Sequence, residues 1–110
     1  MQYFDDRYHL HVQFDTRQCQ VPPDVVRIQQ RLEPLGEAVK DLPEADLALT
    51  LIYHPRSDAY HADAKLKLPG ETLATVERDA HLDLAIERCI GNLVARVGAY
   101  KEHPNQMALP

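Results

Sequence analysis

Apolar and polar residues alternate with period two in four stretches of this chain and recur near every 3.6 residues in two others, and the order of the six predicts the fold. Leu10, Val12 and Phe14 alternate with His9, His11 and Gln13, which reads as a half-buried strand. Val21-Pro22-Pro23-Asp24 then stops extension and opens a helix, proline being tolerated in a first turn whose amide protons lack partners anyway. Val25, Ile28, Leu32 and Leu35 give that helix its apolar face. Pro34 with Gly36 just beyond predicts an end or kink near Glu33, and residues 35–43 read as a turn or a broken last turn. The segment 46–54 (DLALTLIYH) is apolar on both faces, as a central strand would be.

Residues 62–101 carry the densest pattern. Ala62, Ala64, Leu66 and Leu68 alternate with His61, Asp63, Lys65 and Lys67, Pro69-Gly70 makes a turn, and residues 72–77 (TLATVE) return as a strand. From Leu82 the period changes: Leu82, Ala85, Ile86, Cys89, Ile90, Leu93, Val94 and Val97 form one helical stripe, with Asp79 placed to cap it. The order β-α-β-β-β-α predicts an α+β two-layer sandwich, two helices packed on one face of a four-stranded sheet. The expected divisions are an N-terminal extension over 1–9, a domain over 10–103 and a flexible tail over 104–110, which contains two prolines and no periodicity.

A chain of 110 residues has room for one core. Its net charge of −5, from 17 acidic and 12 basic residues, argues against strong nonspecific nucleic-acid binding but permits a local basic stripe. No apolar run reaches the roughly 18 residues that span a bilayer, and the N-terminus lacks a signal-peptide core, so no membrane partner and a cytoplasmic location are expected. Cys19 and Cys89 lack metal-type spacing and read as reduced thiols, one long-range disulfide being the alternative.

The stretch L-K-L-P-G-E-T-L over 66–73, followed by H-L-D-L-A-I-E over 81–87, resembles the ribosome hibernation-promoting factor and ribosome-associated inhibitor family, also called sigma-54 modulation proteins. Members of that family read roughly L-x-V-P-G-G-x-L and then D-M-Y-A-A-I-D. The likeness runs ungapped from Leu66 to Lys101 and extends back to about Leu10. It implies the same two-layer fold and a non-enzymatic, stress-linked role. Family members dock in the small-subunit channel where messenger and transfer RNA pass, keeping idle ribosomes silent by steric occlusion, with basic side chains of both helices on rRNA phosphates.

Carried over position by position, that pattern keeps Lys101, whereas Asn92, Ala95 and Ala99 stand where Lys or Arg is usual, Tyr100 replaces a His and Val94 a Glu. Helix one offers Arg27 and Arg31. Arg88, Asn92, Arg96 and Tyr100 recur every four residues as a ladder that reads either as a relocated RNA-facing stripe or as a solvated face. Lys65 and Lys67 project from the wet face of the hairpin. The candidate rRNA contacts are therefore Arg31, Lys65, Lys67, Arg88, Arg96 and Lys101, and the small ribosomal subunit is the expected partner. The alternative is a module of the same fold that has lost rRNA binding and acts through protein contacts. Gly91, Val94 and Gly98, or an edge strand, would then form a homodimer face. No long C-terminal domain of the kind some relatives use to pair ribosomes follows, so pairing by that route is not expected.

Catalysis and metal chemistry find little support. His9 and His11, two apart on a predicted strand, would share a face and could hold a metal with a third ligand, but two solvated imidazoles explain them as well. Cys89 belongs to an apolar stripe, Cys19 falls at a family position usually Val or Ile, and Ser57, the only serine, has no glycine elbow. Four glycines scattered at 36, 70, 91 and 98 make no phosphate loop. Neither a catalytic residue, a metal nor a cofactor is expected.

Overall fold

The structure is a computed structural model that describes residues 2–17 and 25–102. Cys19, the predicted helix start at 21–24 and the tail 104–110 lie outside those residues, as do the side chains of residues 25–29. Among the described residues seven elements follow one another: β1 (Gln2–Asp5), β2 (Leu10–Arg17), α1 (Val25–Val39), β3 (Ala45–His54), β4 (Ala59–Leu68), β5 (Glu71–Asp79) and α2 (Leu82–Glu102). The sheet has five strands in sequence order, all neighbours antiparallel except the parallel pair β2 and β3. Parallel pairing forces the chain to cross back over the sheet, and α1 makes that crossing.

The expected four strands are thus corrected to five. Gln2–Asp5 pairs antiparallel with β2, Gln2 opposite Gln13 and Asp5 opposite Leu10. The hairpin closes through a local turn, in which the Tyr8 amide donates to the Asp5 carbonyl at 3.2 Å and the Arg7 amide to Asp5 Oδ1 at 3.1 Å. His9 then takes a left-handed backbone, φ 55°, to re-enter the sheet. Tyr8 is buried and packs on α1 at Gly36, which is what ties this segment to the core.

Each strand buries one set of alternate residues under both helices. Leu10, Val12 and Phe14 of β2, Leu47, Leu49 and Leu51 of β3, and Ala62, Ala64, Leu66 and Leu68 of β4 meet Leu32, Leu35 and Val39 of α1 and Ala85, Ile86, Cys89, Ile90, Leu93 and Val97 of α2. The opposite set, including His11, Asp46, His61, Lys65 and Lys67, lines a face that no helix covers. α1 does not end at Glu33. It runs through Pro34 to Val39 because Leu35 and Val39 are fully buried, and their burial outweighs the one backbone hydrogen bond that Pro34 removes. Pro69-Gly70 is a two-residue connection between β4 and β5, and Gly70 at φ 80° supplies the left-handed second position of a type II turn. Asp79 is not the expected cap: it accepts from the His81 amide at 2.9 Å, and the cap position is His81, two residues on, whose carbonyl accepts the first helical bond from Ala85.

Candidate nucleic-acid interface

The ladder on α2 faces β5. Arg88 pairs with Asp79 at 3.1 Å, Asn92 Nδ2 donates to Glu77 Oε1 at 3.2 Å, Arg96 donates to the Ala74 carbonyl, and Tyr100 Oη donates to the Pro69 carbonyl at 2.6 Å. The helix descends residue by residue as the strand is climbed in reverse. Four helical residues rise about 6 Å and two strand residues about 6.7 Å, so Arg88 and Asn92 stand in step with Asp79 and Glu77, while Arg96 and Tyr100 reach backbone carbonyls three and then five residues further along. Only Leu73 is buried on β5; Thr75, Glu77 and Asp79, the next positions on its helix-facing side, are polar and meet the polar flank of α2. Of the backbone groups of this edge strand, the Ala74 carbonyl is occupied by Arg96.

The other basic side chains described on or next to the helices are also engaged within the chain. Arg31 of α1 reaches across to α2, pairing with Glu87 and, at 3.3 Å, with Asp83. Lys101 pairs with Asp41 in the α1–β3 connection and holds the Asp41 carboxyl below its ordinary range. Lys40 pairs with Glu37 at 2.9 Å, which raises its pKa. In the first hairpin, Arg7 stacks on Tyr8 and pairs with Asp5 at 3.0 Å, depressing the Asp5 carboxyl.

Lys65 and Lys67 stand apart from this set, exposed on the uncovered face of β4. Arg78 of β5 and Arg17 of β2 lie on the same face, opposite His61 and Ile52 respectively. Sequence reasoning passed over both. Arg78 falls just past the segment read as the last strand, and Arg17 just past the apolar run of β2. Period-two counting from Lys65 and His61 across the registers is the signal that finds them. Arg56 sits in the turn that joins β3 to β4 at the same end.

The imidazoles of His54 and His61 lie against each other on this face, ring centroids 4.0 Å apart. Burial, then the charges of His54 and Arg78, lowers the His61 pKa. His9 and His11 do not form the expected same-face pair. The strand begins at Leu10, His9 sits in the turn, and His11 Nδ1 lies 3.5 Å from Asp46. Among the described residues no group of three His, Cys, Asp or Glu comes together in the manner of a metal site. Cys89 is fully buried, and burial pushes its thiol up to about 12, so little of it is thiolate at neutral pH. Gly91 and Gly98 have open space where a Cβ would stand, so no neighbouring backbone approaches them, while Val94 is partly buried against the core.

No family model matches the sequence, and no curated protein matches it. Solved structures do match. The crystal structure of the Thermus thermophilus Protein Y N-terminal domain superposes with a TM-score of 0.66 at 20% sequence identity, over 81% of this chain and 97% of that one. A ribosomal subunit interface protein from Coxiella burnetii gives a TM-score of 0.66 at 14% identity, over 83% and 97%. The chain has the fold of these proteins, and the resemblance carried by Leu66–Lys101 pointed to the same kind of protein.

Proposed function

We propose that this protein is a ribosome-associated factor of the hibernation type, which binds small-subunit rRNA and silences translation by occluding the decoding region. The observation that supports it is the fold, shared across nearly the full length of a protein described as a ribosomal subunit interface protein. Fold alone admits many functions. The ungapped hairpin-to-helix pattern narrows the choice. Of the six basic candidates, Lys65 and Lys67 are the contacts expected, because Arg31, Arg88, Arg96 and Lys101 are engaged within the chain. Sedimentation of a tagged full chain through sucrose gradients at low salt tests the reading. Recovery with intact small subunits is expected; its absence from those fractions would sink the proposal.

A second reading is favoured by one observation. The outward side of α2 carries Leu84, Gly91, Ala95 and Gly98, a run of small or apolar residues that ends at the exposed Glu102. A protein-interaction module that has shed rRNA binding, including a homodimer, would suit it. A monomer whose sedimentation is independent of concentration, in a chain that also binds ribosomes, removes this alternative.

A further inference from the structure

The twelve lysines and arginines divide by layer. Arg7, Arg31, Lys40, Arg88, Arg96 and Lys101, all on the helices, just past the end of α1 or in the first hairpin, each contact an acid or a carbonyl of this chain. Arg17, Arg56, Lys65, Lys67 and Arg78 make no side-chain ion pair or hydrogen bond among the described residues. Arg27, whose side chain is not described, is the twelfth. Every cation shown to be unpaired thus lies on the uncovered face of the sheet or in the turn at its end.

We infer that the uncovered sheet face, through Arg17, Arg56, Lys65, Lys67 and Arg78, is the surface that meets the phosphate backbone of RNA, with the helix layer turned away. The inference rests on the ribosome-associated reading and moves its contact surface from the helices to the sheet. Charge complementarity is the argument. A phosphate gains most from a cation that has no acid to leave, whereas contact with Arg31 or Lys101 would have to displace or share a carboxylate.

The registers place the cations in rows. Lys65 has Ala48 and Ala74 as cross-strand neighbours, so nothing charged stands directly beside it. Lys67 lies between Asp46 and Thr72, and Asp46 also faces His11. At the other end Arg17, Ile52, His61 and Arg78 form one row across four strands. Asp15 and Asp63 occupy the row between, with Thr50 and Val76. Cations therefore bracket the acids along β4, about 20 Å from Lys67 to the row of His61. The acids on the helix side are remote by comparison. The molecule is 17 Å through its thinnest dimension, about twice the screening length of roughly 8 Å at physiological salt. A net charge of −5 therefore does not forbid phosphate binding at this face.

Five neutralised phosphates would give a log–log salt slope of about −3.5 to −4.5, a loss of about one hundred- to five hundred-fold between about 50 and 200 mM salt. The test uses the full chain with two probes, purified small ribosomal subunits and a fluorescein-labelled single-stranded RNA oligonucleotide, each titrated across salt. The variant Lys65→Ala/Lys67→Ala/Arg78→Ala removes three exposed charges, Lys65→Glu/Lys67→Glu reverses two, and Lys40→Ala is the control; thermal melts establish that each is folded. The face is supported if the triple variant weakens RNA binding by more than about tenfold and flattens the slope by about 2 to 3 while the control matches wild type. Equal affinity and slope for wild type and triple variant on subunits overturns the face and leaves ribosome association standing. Wild type that binds the oligonucleotide through these residues but not the subunits upholds the face and removes the ribosome reading. Failure to bind either probe at low salt overturns the inference.

Discussion

Replacing Gly36 with alanine tests whether the N-terminal hairpin is docked as described. In an ordinary helix interior this change stabilises by up to about 1 kcal/mol, since glycine is the poorer helix former. Here the added Cβ would stand 2.3, 2.6 and 2.8 Å from three carbons of the Tyr8 ring. Carbon atoms in contact keep about 3.5 to 4.0 Å, so the ring must retreat by more than about 1 Å. Overpacking of this kind costs about 1–3 kcal/mol, and leaving the site altogether would forfeit a buried aromatic side chain of similar value. After the propensity gain is subtracted, Gly36→Ala is expected to destabilise by up to about 2 kcal/mol. That corresponds to a melting temperature lower by up to about 8 °C for a domain of this size.

The double-mutant cycle isolates the cause. Tyr8→Ala removes the obstacle, so Gly36→Ala made on that background should be neutral or stabilise by up to about 1 kcal/mol, giving a coupling of about 2 kcal/mol. Urea denaturation with all four proteins measures it. A Gly36→Ala variant more stable than wild type, or one whose effect is the same with and without Tyr8, refutes the packing of the first hairpin on α1.

Cys89 should resist thiol reagents in the native state, since it is fully buried with its thiol pushed up to about 12; in a Cys19→Ser background, labelling should track unfolding, and labelling at the rate of a free thiol would contradict its place in the core. His61 titrates below its ordinary value of 6.5 in the folded chain, so on acidification the unfolded chain takes up the proton first. Its contribution is present above about pH 6.5 and is lost as pH falls towards the folded pKa, and His61→Gln should flatten the melting-temperature profile between about pH 7 and pH 5. Tyr100→Phe deletes the bond to the Pro69 carbonyl and should cost about 0.5–1.5 kcal/mol, with faster amide exchange in the β4–β5 turn; unchanged stability and exchange would deny the fastening role.

The long hairpin and α2 were legible because each rests on a pattern that one element carries alone: alternation along β4, a two-residue proline-glycine turn, and a 3.6-residue stripe. β1 carries no such pattern. Four residues are too few to show a period, and Gln2–Asp5 is a strand because β2 offers it an edge and Tyr8 finds a place on α1. The end of α1 was misread because Pro34 and Gly36 are strong local stop signals, and what overrides them is the burial of Leu35 and Val39 against a sheet distant in sequence. The basic candidates were legible as residue types, but their engagement was not. Whether Arg31 is available depends on Asp83 and Glu87, more than fifty positions away.

A row of polar residues at four-residue spacing is silent about what it faces. Solvent, a phosphate backbone and a strand of the same chain all suit Arg88, Asn92, Arg96 and Tyr100 equally well when the helix is considered alone. The distinguishing information lies on the preceding strand. Glu77 and Asp79 stand two apart, on the helix-facing side of β5, and the two-residue turn into α2 brings the helix back antiparallel beside them. Because a helix rises about as far in four residues as a strand does in two, Arg88 and Asn92 meet Asp79 and Glu77 in order, and Arg96 and Tyr100 close on backbone carbonyls instead. That correspondence makes an intramolecular fastening the first reading for such a ladder. It also bears on the scaffold's function. A helix whose described cations are engaged within the chain has fewer free for a partner, and under the proposal of a phosphate-binding sheet face the unpaired Lys65, Lys67 and Arg78 supply the charge instead.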